Sequence, residues 1–254
     1  MGESQRRVAV VGNDDRSETL REAVRDAGAR LVTVTDTTTD TDAMFTVGED
    51  VTRHALRNPP AGAVIPVGTQ RLGFGVEEAT NRMHQLFEAL DSSVEGISRI
   101  THPILTVDTG TPSVHRAAAD VALITEKPAR ISEFSIRFTR RPTESFRADG
   151  VVVATPFGSS EYANAAGGPI VEPGGGLVVA PIAPFSTGID AWVAAEHVTV
   201  SVERETEPVV LVIDGAIRDT VGPYQPIDIE TTERVEALVP TATAEPRARR
   251  SETL

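Results

Sequence analysis

The sequence predicts a two-part fold, α/β in roughly the first ninety residues and all-β after them, on three observations. Short β-branched runs alternate with apolar residues at helical spacing as far as Leu90. The helical period vanishes after about Gly96, and from there short β-branched runs recur between Gly and Pro turns. Alternating strands and helices imply a parallel sheet covered on both faces, a Rossmann-like α/β domain, and successive strands with turns imply a C-terminal β-sandwich domain. The expected boundaries are 1–95 and 96–238, with 239–254 a polar, Arg-rich tail expected to be disordered.

Each element has its own signal. Arg7 to Gly12 is a short β-branched strand; Ser17 to Ala27 places Leu20, Ala23, Val24 and Ala27 on one helix face, with Gly28 as its stop. Arg30 to Thr35, Ala43 to Val47 and Gly62 to Val67 read as further strands, and the Thr/Asp run from Thr35 to Asp42 reads as a solvated loop. Val76 to Leu90 reads as one helix with Ala79, Met83, Leu86, Phe87 and Leu90 on its apolar face. Beyond Gly96, strands are expected at Ile104 to Val107, Val114 to Thr125, Ile131 to Phe138, Val151 to Ala154, Leu177 to Ala180, Val198 to Val202, Val209 to Ile213 and Ile227 to Ile229. Ligands of such parallel sheets gather in the loops after the strands' carboxyl ends, here Gly48 to Thr52 and Gly68 to Gly75.

Composition narrows the partners. The chain of 254 residues carries a formal net charge of −13, and Lys127 is its only lysine among 24 basic residues. Such a surface repels nucleic-acid phosphates and anionic membranes, so neither is an expected partner. Arginine in place of lysine with an excess of acid suits a halophilic, high-salt cytoplasm, where a screening length of about 3 Å at molar salt removes the self-repulsion. A GC-rich genome accounts for the arginine without accounting for the acid. No run of about twenty apolar residues occurs and the start leads straight into a strand, so a cytoplasmic protein is expected. There is no cysteine, and the five histidines lack metal-ligand spacing, so no protein-only metal site is expected.

The most specific segment is Arg147-Ala-Asp-Gly-Val-Val-Val-Ala-Thr-Pro-Phe-Gly-Ser-Ser-Glu-Tyr162, followed by Ala-Asn-Ala-Ala-Gly-Gly-Pro-Ile170. It resembles the DG…TPTGSTAY…GGPI signature of NAD kinases. Phe45-Thr-Val-Gly-Glu-Asp-Val-Thr52 is similar to that family's GGDGT loop and Pro66-Val-Gly-Thr-Gln-Arg-Leu-Gly-Phe74 to its GxNxGxLGF segment. Ala119 and Asp120 stand at its Asn-Glu/Asp pair, and Asp214-Gly215 at its late DG turn. The resemblance runs to about residue 238.

That resemblance implies phosphoryl transfer from ATP or polyphosphate, with Mg²⁺, to the 2′-hydroxyl of the adenosine ribose of NAD(H), giving NADP(H). It implies Asp50 as the base and Gly48 and Thr52 in the phosphate loop. Asp120, Asp149, Thr155, Ser160 and Tyr162 stand where the family binds the dinucleotide, and a homo-oligomer is implied. Phosphoryl transfer demands mainly positioning and charge stabilisation, which a glycine turn supplies through backbone N–H groups.

The residues also carry simpler readings. Asp50 suits the cap of a helix starting near Thr52, Asp149 and Asp214 suit turns before Gly, and Tyr162 suits a packed core position. The chain departs from the family pattern at Glu49 and Val51 in the phosphate loop, Ala119 in the dyad, Gly68 and Gln70 in the second loop, and Phe157 and Glu161 in the NAD loop. A carboxylate about 4 Å from a phosphate costs roughly 4 kcal/mol at an effective dielectric near 20. Val51 resists the positive φ a glycine there would adopt. Two functions therefore stand side by side, an NAD kinase with a divergent active site and a catalytically impaired relative that binds NAD or an adenine nucleotide as a regulatory or partner subunit. A kinase for a lipid or sugar hydroxyl is a third.

Overall fold

The strand at Arg7–Val11 (β1) is central to an N-terminal parallel sheet that a computed structural model describes together with the rest of residues 5–34, 40–112, 114–127, 130–205 and 207–241. Helix α1 (Asp15–Asp26) follows, capped by Asp14, whose side chain accepts from the Ser17 amide, and stopped at Gly28 with φ 79°. Next come β2 (Arg30–Leu31), β3 (Ala43–Val47), α2 (Glu49–Arg57) and β4 (Ala63–Val67). β1 pairs in parallel with β2 and β3, and β3 with β4. All five residues of β3 and of β4 are buried, as strands covered on both faces require. β2 is shorter than its apolar run, although Val32 still donates to the Val8 carbonyl; Thr35 and the Thr/Asp loop as far as residue 39 lie outside the described residues.

The single helix expected over Val76 to Leu90 is instead two, α3 (Val76–Asn81) and α4 (Met83–Glu88). The break falls at Arg82, φ −105° and ψ 15°, whose guanidinium donates to the carbonyls of Glu95 and Gly96. The apolar face survives it: Ala79, Met83, Leu86 and Phe87 are all buried against Leu20, Val24 and Phe74.

The second half is β throughout apart from two short turns of helix. Its elements are β5 (Ile97–Asp108), β6 (Val114–Ala117), β7 (Asp120–Thr125), β8 (Ser132–Phe138), β9 (Glu144–Ala148), β10 (Gly150–Ala154), a 3₁₀ turn (Gly158–Ser160) and α5 (Tyr162–Ala165). Then follow β11 (Leu177–Ile182), β12 (Trp192–Ala194), β13 (His197–Arg204), β14 (Val209–Ile213), β15 (Ala216–Val221) and β16 (Pro226–Pro240). Six strands form an antiparallel sheet in the order β12-β11-β10-β7-β14-β15. The other sheet continues the parallel one, β2-β1-β3-β4-β16-β13-β8-β9, with β5 and β6 on its flank.

β16 is the seam. It meets β4 in parallel at Ala237 and Val64, and pairs antiparallel with both β13 and the whole of β5. Between the two sheets lies the larger core, including Leu105, Leu123, Phe134, Val153, Val200 and Leu211. Val239 and Pro240, at the start of the tail expected over 239–254, belong to β16 and pair with Ser98 and Ile97, and residues 242–254 lie outside the described residues. No helix among the described residues is long and apolar enough to cross a membrane.

One expected strand, Val114 to Thr125, is cut in two. β6 ends at Ala117 in one sheet and β7 starts at Asp120 in the other, with Ala118 and Ala119 crossing between them. The Asp214 carboxylate accepts the backbone amides of that crossing.

Candidate active site

The Gly48 turn joins β3 to α2. Gly48 has φ 92°, a conformation that suits glycine, and its amide donates to the Val67 carbonyl at 2.9 Å. Its own carbonyl accepts both the Thr52 amide at 3.1 Å and the Thr52 hydroxyl at 2.8 Å. Thr52 is fully buried, with its hydroxyl also 2.9 Å from that of Thr46, so it closes the turn from inside. α2 starts at Glu49 rather than near Thr52. That corrects the expectation for Val51: it sits in the first turn of a regular helix, and positive φ is needed at Gly48 alone.

Two carboxylates border this turn. Asp50 is 97% exposed at its side chain, with Oδ1 3.1 Å from Arg53 Nη1. Glu49 is half-buried; its Oε1 accepts the Gln70 amide at 2.6 Å and its Oε2 has no partner. Burial pushes the Glu49 carboxyl above its ordinary pKa, opposed by the Gln70 hydrogen bond.

Arg53 carries the turn across to the β half. One end of its guanidinium meets Asp50 and the other the Glu161 carboxylate, and its Nε is buried without a partner. Glu161 follows the 3₁₀ turn after β10, so this pair spans 108 residues of chain. A second crossing is made by Arg71, whose Nη1 donates to the Pro156 carbonyl and to Ser159 Oγ at 3.0 and 2.9 Å.

The opposite wall is the Ala118 to Asp120 crossing. The Asp214 carboxylate, 1% exposed, gathers it: Oδ1 accepts the amides of Ala119 at 2.7 Å and Asp120 at 3.1 Å, and Oδ2 that of Ala118 at 3.0 Å. Arg57 on α2 balances that charge at 3.1 Å. Asp214 and Gly215 also make the expected turn, with φ 47° and 80°. Its carboxylate is the part that the turn reading of the sequence missed.

Asp120 lies beside these groups, 8% exposed. Its carboxyl is pushed up to about 7, first by burial and then by the charges of Asp214 and Glu161, against Arg53. Thr155 is buried, its hydroxyl donating to the carbonyls of Ala118 and Ala119 at 2.7 and 3.1 Å. His102 supports the same wall, with Nε2 2.8 Å from the Ala118 oxygen and its ring edge-on to Phe157; burial pulls its pKa down to about 4.

The expected residues thus divide. Asp50 and Asp120 lie about Arg53 and Glu161, with Gly48 at the cap of the helix that carries Arg53 and Ser160, half-buried, next to Glu161 in sequence. Tyr162, 39% exposed, feels the charges of Asp120 and Asp149 after its own burial, which together raise its pKa. Asp149 stands at the far end of β10 from Thr155, its amide on the Ile182 carbonyl at 3.0 Å. Arg53, Arg57, Arg71 and His102 were not foreseen. The Asp50–Arg53 spacing of i, i+3 on a helix was the only local sign of any of them.

The family model of the ATP-NAD kinase C-terminal domain matches residues 118–241. An NAD kinase of Methanosarcina mazei is 30% identical over 199 residues, covering 76% of this chain and 64% of the relative. An NAD kinase of Chlorobium phaeovibrioides is 30% identical over 221 residues, covering 83% of this chain and 76% of the relative. The crystal structure of an NAD kinase from Archaeoglobus fulgidus in complex with ATP aligns with a TM-score of 0.70 at 25% identity, over 92% of this chain and 93% of that one. Yeast NADH kinase complexed with NADH shares the fold, with a TM-score of 0.73 at 17% identity over 94% and 84%. The chain spans about two thirds of the length of the Methanosarcina relative.

Proposed function

The chain belongs to the NAD kinase family, and from that premise we propose that it transfers a phosphoryl group from ATP or polyphosphate to the 2′-hydroxyl of the adenosine ribose of NAD(H), forming NADP(H). The observation that carries the reading is the meeting of two walls: the Gly48 turn with Asp50 on one side, the Asp120 crossing on the other, joined by Arg53 and Glu161.

Asp50 is the base in this reading. Its carboxylate opens to solvent at the mouth of the turn, where an incoming ribose hydroxyl can reach it, and Arg53 fixes its orientation. The first amides of α2 have no partner within the helix, so Glu49, Asp50 and Val51 present N–H groups to the donor's phosphates with the favourable end of the helix dipole. Asp120, with Ser160 and Tyr162 nearby, holds the ribose and the rest of the dinucleotide. Thr155 fixes the backbone on which Asp120 stands, and Asp149 is assigned to the dinucleotide on the family resemblance of its DG turn.

The residues fit a Mg²⁺ that arrives with the donor. Among the described residues no three His, Cys, Asp or Glu side chains converge on a point of their own, whereas Mg²⁺ is commonly held by one or two carboxylates plus substrate phosphates. Asp50, open to solvent beside the Gly48 turn, would supply such a carboxylate. When bound, the ion neutralises phosphate charge.

Glu49 is compatible with this chemistry because its carboxylate is anchored to Gln70 and its pKa is raised, both of which soften its repulsion of phosphate. The acid excess and single lysine support a protein working at high salt, and the family resemblance supports a homo-oligomer. The test is to incubate the purified protein with NAD and Mg²⁺ in molar KCl, with ATP and with inorganic polyphosphate in separate reactions. The expected product is NADP, identified with an NADP-specific dehydrogenase. NAD binding by calorimetry with no NADP from either donor would overturn the reading in favour of a dinucleotide-binding relative.

A further inference from the structure

Arg16, the second residue of α1, lies over both glycine turns at once. A methyl group in place of hydrogen at Gly68 would sit 3.0 Å from Arg16 Nη1, and one at Gly48 would sit 3.8 Å from Nη2. These turns follow β3 and β4, and both need positive φ, 92° and 69°. The guanidinium is held there by Asp14, whose Oδ2 accepts from Nε at 2.7 Å and lies 2.6 Å from Nη2. Asp14 is itself fixed, since its Oδ1 takes the amide and the hydroxyl of Ser17 at 3.1 and 2.8 Å. The whole unit is rooted in the cap of α1.

The other cations of the site are committed elsewhere. Arg53 meets Asp50 and Glu161, Arg57 meets Asp214, and Arg71 meets Pro156, Ser159 and Glu172. Arg16 spends its Nε edge on Asp14, and half of its side-chain surface stays open to solvent. Of five guanidinium N–H groups, those on the Nη1 side face Gly68. A turn bordered by Glu49 and Asp50, in a chain of net charge −13, needs such a cation if it is to receive a polyanion.

We propose that Arg16 binds the phosphates of the donor nucleotide, bridging the Gly48 and Gly68 turns and offsetting the charge of Glu49. The assignment rests on the kinase reading above. It adds a ligand-binding residue from α1, outside every motif that marks the rest of the site. Arginine suits the task because its planar fork grips two phosphate oxygens at once, while a lysine offers a point charge only.

The test is steady-state kinetics of Arg16→Gln and Arg16→Lys with ATP and NAD varied separately. Arg16→Gln is expected to raise the KM for ATP about 10- to 100-fold, the loss expected for charge-assisted hydrogen bonds. The KM for NAD stays unchanged, and Arg16→Lys recovers part of the loss. An unchanged KM for ATP overturns the proposal, and so does an equal rise in both KM values, which marks a merely structural residue. Should the wild type form no NADP, the kinase reading fails first, and calorimetric titration with ATP and with adenosine decides the role of Arg16 separately. Weaker ATP but unaltered adenosine binding in Arg16→Gln upholds it. Equal effects on both, or a wild type that binds no ATP, overturn it.

Discussion

Asp214 and Ala119, 95 residues apart in sequence, are joined at 2.7 Å, the carboxylate Oδ1 of the one accepting the amide hydrogen of the other. Through this bond and its neighbours at Ala118 and Asp120, a β-turn residue shapes the wall that carries Asp120. Position 119 itself contributes only a methyl group, so the backbone there is organised from a distance.

Replacing Asp214 by Ala removes the acceptor of three amides and strands the Arg57 guanidinium, which is 19% exposed. Breaking one side of a buried pair of this kind costs about 3–5 kcal/mol. Urea unfolding is expected to show a loss of that size, and calorimetry a large fall in NAD affinity. Asp214→Asn, which keeps an acceptor oxygen, is expected to lose less.

Asp120 sets a pH dependence. Its folded pKa, about 7, lies above the ordinary 3.8, so between these values the folded state holds a proton that the unfolded chain releases. Stability contributed at this site is therefore greatest at low pH and falls as pH rises through that window. Asp120→Asn is expected to be more stable than wild type above pH 7, by roughly 2–4 kcal/mol for a shift of this size. The difference should close below about pH 4. His102 acts in the opposite sense: its folded pKa of about 4 lies below the ordinary 6.5, so its contribution is lost as pH falls through that range. It is common to both proteins, so the difference between their denaturation profiles isolates Asp120.

Gly158 has no room for a side chain. A Cβ there would lie 2.3 Å from the Ala119 carbonyl oxygen, a backbone atom that also accepts the Thr155 amide. Gly158→Ala must displace the crossing, and overpacking of this kind costs about 1–3 kcal/mol. A lowered Tm together with weakened NAD binding is the expected result, and a melt and affinity equal to wild type would contradict it.

Glu49→Gln keeps an acceptor for the Gln70 amide and removes the charge facing the phosphates. The KM for ATP is expected to fall about five- to tenfold, a small part of the full Coulomb repulsion at an effective dielectric near 20. Glu49→Gly loses the Gln70 tie as well and should gain less. A higher KM in Glu49→Gln would mean that the carboxylate assists the donor.

Much of this was legible in the sequence because it is written locally. β3 and β4 are short, mainly apolar runs, fully buried, and α1 shows its apolar face and its Gly28 stop within Ser17 to Gly28, although its start under the Asp14 cap was not read. β16 was seen only at Ile227 to Ile229, since the rest of it alternates with Glu230, Glu233 and Glu236, and its partners are strands from distant parts of the chain. β15 was missed for a similar reason, four of its six residues being exposed. The motif positions located the Gly48 turn and Asp120. They did not reveal Arg53, whose partner Glu161 is 108 residues away, or the carboxylate of Asp214, because such contacts leave no periodic trace. Val51 was misjudged because the local motif shows a glycine position without showing that a helix already begins at Glu49.

Single-turnover formation of NADP with saturating NAD, ATP and Mg²⁺ tests the role of Asp50 most directly. Asp50→Asn keeps the size of the side chain and its contact to Arg53 while removing the base. The expected result is a fall in rate of about 10²- to 10⁴-fold, the usual contribution of a general base, with NAD affinity unchanged. A variant that forms NADP at the wild-type rate would contradict the assignment of Asp50 as the base.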